Sequence, residues 1–365
     1  MNILYRTIAV LALLVGSAAA SSQTKIVFGS PQPGKGAEAR AIAAFVQRVE
    51  KASNGDVKFE PNYDGQMVNF RSSLSGVKDG LVDSITLYPA FYLSELKVTN
   101  TFVDMGAFAT EPWAHIAAVA ETLLLNCPQC DAEYARYKLK PLALGGSGPY
   151  LLICRNPVAS AADLKGKSIR AMSAFQGLVK AIGANPVATV PAEVFEAMQR
   201  GQVECAAGGL DFMQQFGLAD VAKFVIDTPI GHDISRVPLA MNSDVWKKLK
   251  PEQKQAILRN LAFLTAEATA NNIADTAASR QFAQGKGVKF GSAGVSFDKP
   301  VATYRKGELA RIAKDAGARG VEGSDTLVAT FENKLAKWQK IVSDAGGDRT
   351  KYEEALWREV YSKLN

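Results

Sequence analysis

Few side chains in this sequence are placed to do chemistry, and Arg170 stands out among them. It closes a segment, residues 163–170, that reads as a turn followed by a short strand. A guanidinium offers two parallel N–H donors in one plane, a geometry that matches a carboxylate and suits fixed capture of an organic acid. An arginine at a strand end also serves as an ordinary solvated charge, so the residue type alone leaves both roles open. The remaining candidates for chemistry are weaker. Two histidines, His115 and His232, are too few for a His-rich metal site, and neither lies in a metal-ligand spacing. The run Gly145, Gly146, Ser147, Gly148 is one residue off a nucleophile elbow. Glu193 and Glu196 lie three apart on a predicted helix, where solvated or capping carboxylates are common. Gly34, Lys35 and Gly36 lack P-loop spacing, and no Ser or Thr follows the lysine. We therefore expect no catalytic residues, no metal and no cofactor.

Four cysteines allow three pairings. Cys127 and Cys130, with Pro128 between them, would close a small local loop; Cys154 and Cys205 could pair across strands or stay free. A Cys-Pro-x-Cys run also occurs in thiol oxidoreductases, where a helix N-terminus lowers the thiol pKa. Here it follows an apolar helical stretch, residues 116–125, instead of the strand such a fold supplies. A structural staple is the expected reading, with thiol exchange as its alternative.

The elements that must position Arg170 alternate. Residues 24–29 read as a β-branched strand, and a Pro/Gly loop, residues 30–36, leads into a helix. Ile42, Phe45, Val46 and Val49 fall on one face of that helix, which ends at Asn54 and Gly55. Gln32 is the residue through which the loop would touch a ligand. Strands are expected at residues 57–59, 84–88 and 150–154, with helices at 72–78, 178–182 and, from Pro191, 191–200. Such alternation predicts βαβ units and a largely parallel sheet. From Pro251 to about residue 284 there is no internal Gly or Pro. A helix of that length would span about 50 Å at ~1.5 Å per residue, and we read it as a strut along two lobes.

The N-terminus carries an address: Arg6, an apolar run from Ile8 to Val15, and an A-x-A site at Ala18 to Ala20. We expect a signal peptide over residues 1–20, cleavage after Ala20, and export to the periplasm without a lipid anchor or stable membrane insertion. The remaining residues and 47% hydrophobic content support two domains. The net charge of +6 is dispersed, which favours anionic solutes weakly and gives no footprint for nucleic acid.

The order and spacing of several segments resemble the solute-binding proteins of tripartite ATP-independent periplasmic (TRAP) transporters. They are the opening strand and helix ending at residues 52–55, the turn at 80–83, and the strand–helix–strand core from 163 to 204. Residues 221–225, residues 241–249 and the long helix complete the set. The resemblance covers nearly all of the expected mature chain. It implies a bilobal α/β fold with mainly parallel sheets, crossing strands and a long lobe-spanning helix, over about residues 251–284. One lobe would hold residues 21–147 with about 233–275, the other 148–232 with about 276–365. It implies a receptor that closes on a small organic acid and delivers it to a membrane permease driven by an ion gradient, with Arg170 clamping the carboxylate. A sensor of the same fold, and an exported thiol oxidoreductase or hydrolase, are the alternatives.

Two departures from the family pattern bear on the ligand. Tyr150 stands where another arginine often sits, and Gly208 takes the place of an asparagine. Tyr88 and Phe91 occupy a strand-end loop that carries charge in some relatives. Less charge and more rings imply a ligand less polar than a dicarboxylate. Arg236, Phe175 and Phe212 complete the expected ligand-binding set.

Overall fold

The computed structural model describes residues 23–364. The expected signal peptide and its cleavage site lie outside the described residues. The chain opens with β1 (Thr24–Gly29), β2 (Val57–Asn62) and β3 (Ser84–Leu87), and returns to the same sheet as β4 (Leu139–Gly145). It then crosses to a second sheet through β5 (Pro149–Cys154), β6 (Ser168–Arg170), β7 (Asn185–Val187), β8 (Cys205–Gly209) and β9 (Phe224–His232). Next, β10 (Arg236–Asn242) goes back to the first sheet, and β11 (Lys289–Gly291) adds an edge to the second. The strand orders are β2-β1-β3-β10-β4 and β11-β9-β5-β8-β6-β7.

Both sheets are mixed. Pairing is parallel within the βαβ units, as β1 with β2 and β3, and β6 with β7 and β8. It is antiparallel wherever a crossing strand enters, as β10 beside β3 and β4, and β5 beside β8 and β9. The expected parallel bias thus holds locally, and the crossings reverse it because a strand coming from the other lobe arrives pointing the opposite way.

Each sheet is covered on both faces by helices, and the residue patterns explain why. Along β5, Leu152 and Cys154 enter one apolar layer while Leu151 and Ile153 enter the other. A strand buried on both sides reads as a continuous apolar run because successive side chains alternate faces. In the first lobe, helix Ala37–Ala52 buries Ala41, Ile42, Phe45 and Val49, the stripe its 3.6-residue period predicts. These pack with Ile26 and Phe28 of β1, both fully buried.

The long helix differs from expectation. It is two helices, Pro251–Leu258 and Leu261–Gly285. The Asn260 side-chain amide donates to the Ala256 carbonyl at 2.8 Å, while the Asn260 backbone N–H bonds Ile257 instead. A short polar side chain competing for the i−4 carbonyl is a physical cause for such a break. The second helix still acts as a strut: Leu261, Leu264 and Ala268 belong to the first lobe's core, and Ala283 to the second's. At ~1.5 Å per residue its 25 residues span about 37 Å.

The chain's end corrects the lobe boundary drawn from sequence. Phe297 and Val301 pack in the second lobe, but Ile312, Leu327, Phe331, Trp338, Leu356 and Tyr361 all join the core of the first. Helix Ser324–Ala345 lies along helix Pro112–Leu125, and buried Trp338 donates its indole N–H to Glu121 at 2.8 Å. An amphipathic helix settles on whichever apolar surface the rest of the chain leaves open, which sequence order does not reveal.

All four cysteines are paired. Cys154 and Cys205 face each other in register on β5 and β8, with Cα atoms 4.0 Å apart. Cys127 and Cys130 close the start of helix Pro128–Ala135, with Cα atoms 5.2 Å apart.

Candidate ligand-binding site

Arg170 ends β6, flanked by β7 and β8. The neighbouring strand reads Cys205, Ala206, Ala207, Gly208, Gly209, all buried. Its small side chains leave room for a guanidinium to lie over the strand's end. Nε of Arg170 donates to the Thr189 carbonyl at 2.9 Å and Nη1 to the Ala207 carbonyl at 2.8 Å. Nη2 bonds no described residue, and no carboxylate among the described residues pairs with Arg170, although only 2% of its surface is exposed. Burial pulls its pKa down to about 10, with the nearby Tyr150 phenol opposing, so it stays charged at neutral pH. The remaining donors of this cation face a cavity.

That cavity lies between the lobes, with about 630 Å³ of space inside its walls, mouth included. Gln32, Tyr88, Phe91, Tyr150, Arg170, Phe175, Phe212 and Arg236 all line it. These are the residues singled out from sequence, brought together from both lobes, with one exception. Gly208 lies behind the wall. A Cβ there would sit 2.7 Å from the Phe212 ring, so Gly208 shapes the cavity by letting Phe212 close over it. Tyr150 and Phe175 stack with centroids 4.8 Å apart and planes 26° apart. Tyr88, Phe91 and Phe70 cluster with Val190 of the opposite lobe.

Arg236 opens β10, and its environment is different. Its guanidinium meets Asp233 Oδ2 at 3.2 Å and Glu38 Oε2 at 3.3 Å, and stacks on Tyr88 with 4.9 Å to the ring centroid. Burial opposes its charge, but Tyr88, Asp233 and Glu38 outweigh that and hold its pKa well above the ordinary arginine value. Burial pushes the Glu38 carboxyl upward, with Arg236 countering. Tyr88 donates its hydroxyl to Glu38 at 3.2 Å.

Sequence reasoning missed Glu38, Asp233 and Ser173, and considered His232 only as a metal ligand, which it excluded. His232 lines the cavity with Nδ1 3.4 Å from the Ser147 carbonyl, and burial lowers its pKa to about 4. Glu38 looks like a helix first-turn acid, and nothing local to it signals a partner 198 positions away. Ser173 has φ 42° at the start of helix Ala174–Ala181, an unusual backbone for a residue with a Cβ, and it too lines the cavity.

The lobes are tied together on both sides of this site. Backbone N–H of Ser147 donates to Asp233 O at 2.8 Å, lacing the two crossing segments. Gly231, at φ 137°, lies so close to Gly106 that an added Cβ would sit 2.3 Å from its carbonyl oxygen. At the cleft mouth, Arg71 of the first lobe forms two hydrogen bonds with Glu193 of the second, at 2.7 and 3.1 Å. Thr189, whose carbonyl holds Arg170, also donates its hydroxyl to Glu193 at 2.8 Å. Glu193, read from sequence as a solvated or capping carboxylate, is an inter-lobe contact. Among the described residues no group of acidic, His or Cys side chains could hold a metal ion, and no helix is long and apolar enough to cross a membrane.

Two α/β lobes joined by crossing strands, with a cavity between them lined from both sides, define a bilobal ligand receptor. The profile of the bacterial extracellular solute-binding proteins, family 7, matches residues 29–297, and the chain belongs to that family. Among its sequence relatives, a solute-binding protein of Sulfitobacter sp. (strain NAS-14.1) is 24% identical over 252 residues, covering 68% of this chain and 75% of that protein. One from Roseobacter denitrificans is 25% identical over 155 residues, but the chain spans only about half of it (47%). Among solved structures, a TRAP solute-binding protein from Rhodoferax ferrireducens T118, in complex with copurified benzoate, superposes with a TM-score of 0.75 at 19% identity. The match covers 88% of this chain and all of that one. A marine metagenome TRAP solute-binding protein specific for aromatic acid ligands gives a TM-score of 0.75 at 21% identity, covering 87% and 99%. The bilobal TRAP receptor fold expected from sequence is therefore the fold observed.

Proposed function

We propose that this protein is the extracytoplasmic receptor of a TRAP transporter, and that Arg170 clamps the carboxylate of a small organic acid in the inter-lobe cavity. One observation carries the reading: a buried guanidinium with no carboxylate partner among the described residues, its free donors facing an aromatic-lined space. A buried charge is costly unless paired, so a site of this kind calls for an anion. The solved relatives bound to benzoate and to aromatic acids have the same fold, and the rings of Tyr150, Phe175, Phe91 and Phe212 suit a similar apolar body. In the proposed mechanism the acid enters an open cleft, its carboxylate meets Arg170, and closure removes the water that competes for the pair.

The membrane permease partner, the signal peptide cleaved after Ala20 and the periplasmic location belong to the same reading. No turnover is required of any residue. Both cysteine pairs are disulfides, and the Cys127–Cys130 bridge is buried, which favours a staple over thiol exchange. The test is a thermal-shift screen of ligand-stripped protein against monocarboxylates, dicarboxylates, sugar acids and neutral solutes. An acid at ~100 times its Kd should add about 2.7 kcal/mol of stability. A response to neutral or cationic solutes alone would remove the clamp from the function.

A further inference from the structure

The cavity has two poles of opposite character, and this sharpens the ligand class beyond "an organic acid", on the footing that Arg170 is the clamp. At the second pole Arg236 is already held by Glu38 and Asp233, so two carboxylates face one guanidinium. That pole has no uncompensated positive charge to offer. It has acceptors instead. Oε1 of Gln32 is buried and bonds no described residue, and Gln32 is more than nine-tenths buried. Gln32 lines the cavity directly, and Glu38 stands behind it, joined through the Tyr88 hydroxyl and Arg236. A buried acceptor without a donor is unfavourable, and a ligand that supplies the donor is selected over one that does not. A second carboxylate would bring acceptors to acceptors, beside the Glu38 and Asp233 carboxyls that already hold the one cation of this pole.

We propose that the protein selects a monocarboxylate bearing a neutral hydrogen-bond donor, a hydroxyl or amide N–H, at the end remote from its carboxylate, and that the Gln32–Glu38–Arg236–Asp233 wall excludes dicarboxylates. Arg236 thereby acts as a specificity element through its neutralised state and contributes no second clamp.

Calorimetric titration of the wild-type protein with two matched triplets tests this: benzoate, 3-hydroxybenzoate and isophthalate; pentanoate, 5-hydroxypentanoate and glutarate. In the triplet whose body fits, the hydroxy acid should bind about tenfold or more tighter than its parent, as expected where a site is built to meet a ligand O–H. The dicarboxylate should be weaker than the hydroxy acid by about a hundredfold, the repulsive arm of specificity. Glu38→Gln removes one anionic group and should recover about tenfold of dicarboxylate affinity. Gln32→Met, at the cavity wall, removes an uncharged residue that makes no ion pair and should erase the hydroxyl preference. A dicarboxylate that binds as tightly as the hydroxy acid, with both lost in Arg170→Ala, would overturn the selectivity and leave the clamp standing. If neutral or cationic solutes bind while none of the six acids does, the clamp itself fails, and the selectivity with it.

Discussion

Two buried arginines face one cavity, Arg170 with 2% of its surface exposed and Arg236 with 7%, and only their partners differ. Arg236 has carboxylates on two sides and a tyrosine ring beneath it. Arg170 has two main-chain carbonyls and no carboxylate among the described residues. Carbonyl dipoles orient a guanidinium without neutralising it. A compensated buried cation is part of the framework, and an uncompensated one is a site waiting for a counter-charge. The two arginines therefore respond in opposite ways to the same change, and substitution can separate them.

The largest effect is expected at the framework arginine. Arg236→Met leaves Glu38 and Asp233 buried without their cation and should destabilise the protein by about 3–5 kcal/mol, measured by denaturant unfolding. A loss below about 1 kcal/mol would mean that the triad is solvated in solution and that the contrast fails. Arg170→Met removes an unpaired charge, so unfolding without ligand should show no loss of stability. Binding of the acid should weaken by about 2–4 kcal/mol. Reduced stability with undiminished affinity would exchange the two roles.

His232 sharpens the contrast from the neutral side. Its pKa is lowered to about 4 in the fold, against about 6.5 in an unfolded chain. Between those values the unfolded state binds the extra proton, so stability falls as pH drops from about 6.5 toward 4. Asp211, raised by burial to about 6, and Glu308, raised by burial to about 7, act in the opposite direction and gain stability on acidification. The whole-protein profile therefore mixes signs, and the informative quantity is wild type minus His232→Gln. That difference should move against the wild type by about 1.5 kcal/mol between about pH 6.5 and 5. A flat difference would show that His232 titrates normally.

The smallest effect is expected at the cleft mouth. Arg71 and Glu193 are exposed, with 62% and 48% of their side-chain surface open. Such a pair contributes at most ~1 kcal/mol to stability. Because it bridges the lobes, Arg71→Ala should leave the melting temperature nearly unchanged and speed ligand release by a few-fold, seen in stopped-flow dissociation. Unaltered release would confine the pair to surface decoration.

Much of this protein was legible in its residues. The apolar stripe of Ile42, Phe45 and Val49 predicts a helix with its buried face, and the apolar run of residues 150–154 predicts the strand found as β5. The candidate set around Arg170 also converges, because family spacing carries long-range information that local pattern does not. Where the reading failed, a local cue had a non-local outcome. Asn260 broke the strut by capturing one carbonyl, which no absence of Gly or Pro would reveal. Gly208 stands where the family pattern has an asparagine, and a phenylalanine four residues later packs over it and keeps it out of the cavity wall.

The sequence alone determined the strand–helix alternation of the opening and central segments and a family pattern that marked Arg170, since period, turn chemistry and spacing are local properties of the chain. The tertiary structure decided which lobe receives the C-terminal helices, which cysteines pair across β5 and β8, and above all the charge balance of the cavity. Glu38 comes from the first helix, and Asp233 from a crossing segment nearly two hundred residues later. Electrostatic compensation depends on distance in space and on burial, and a linear pattern encodes neither until the chain has folded.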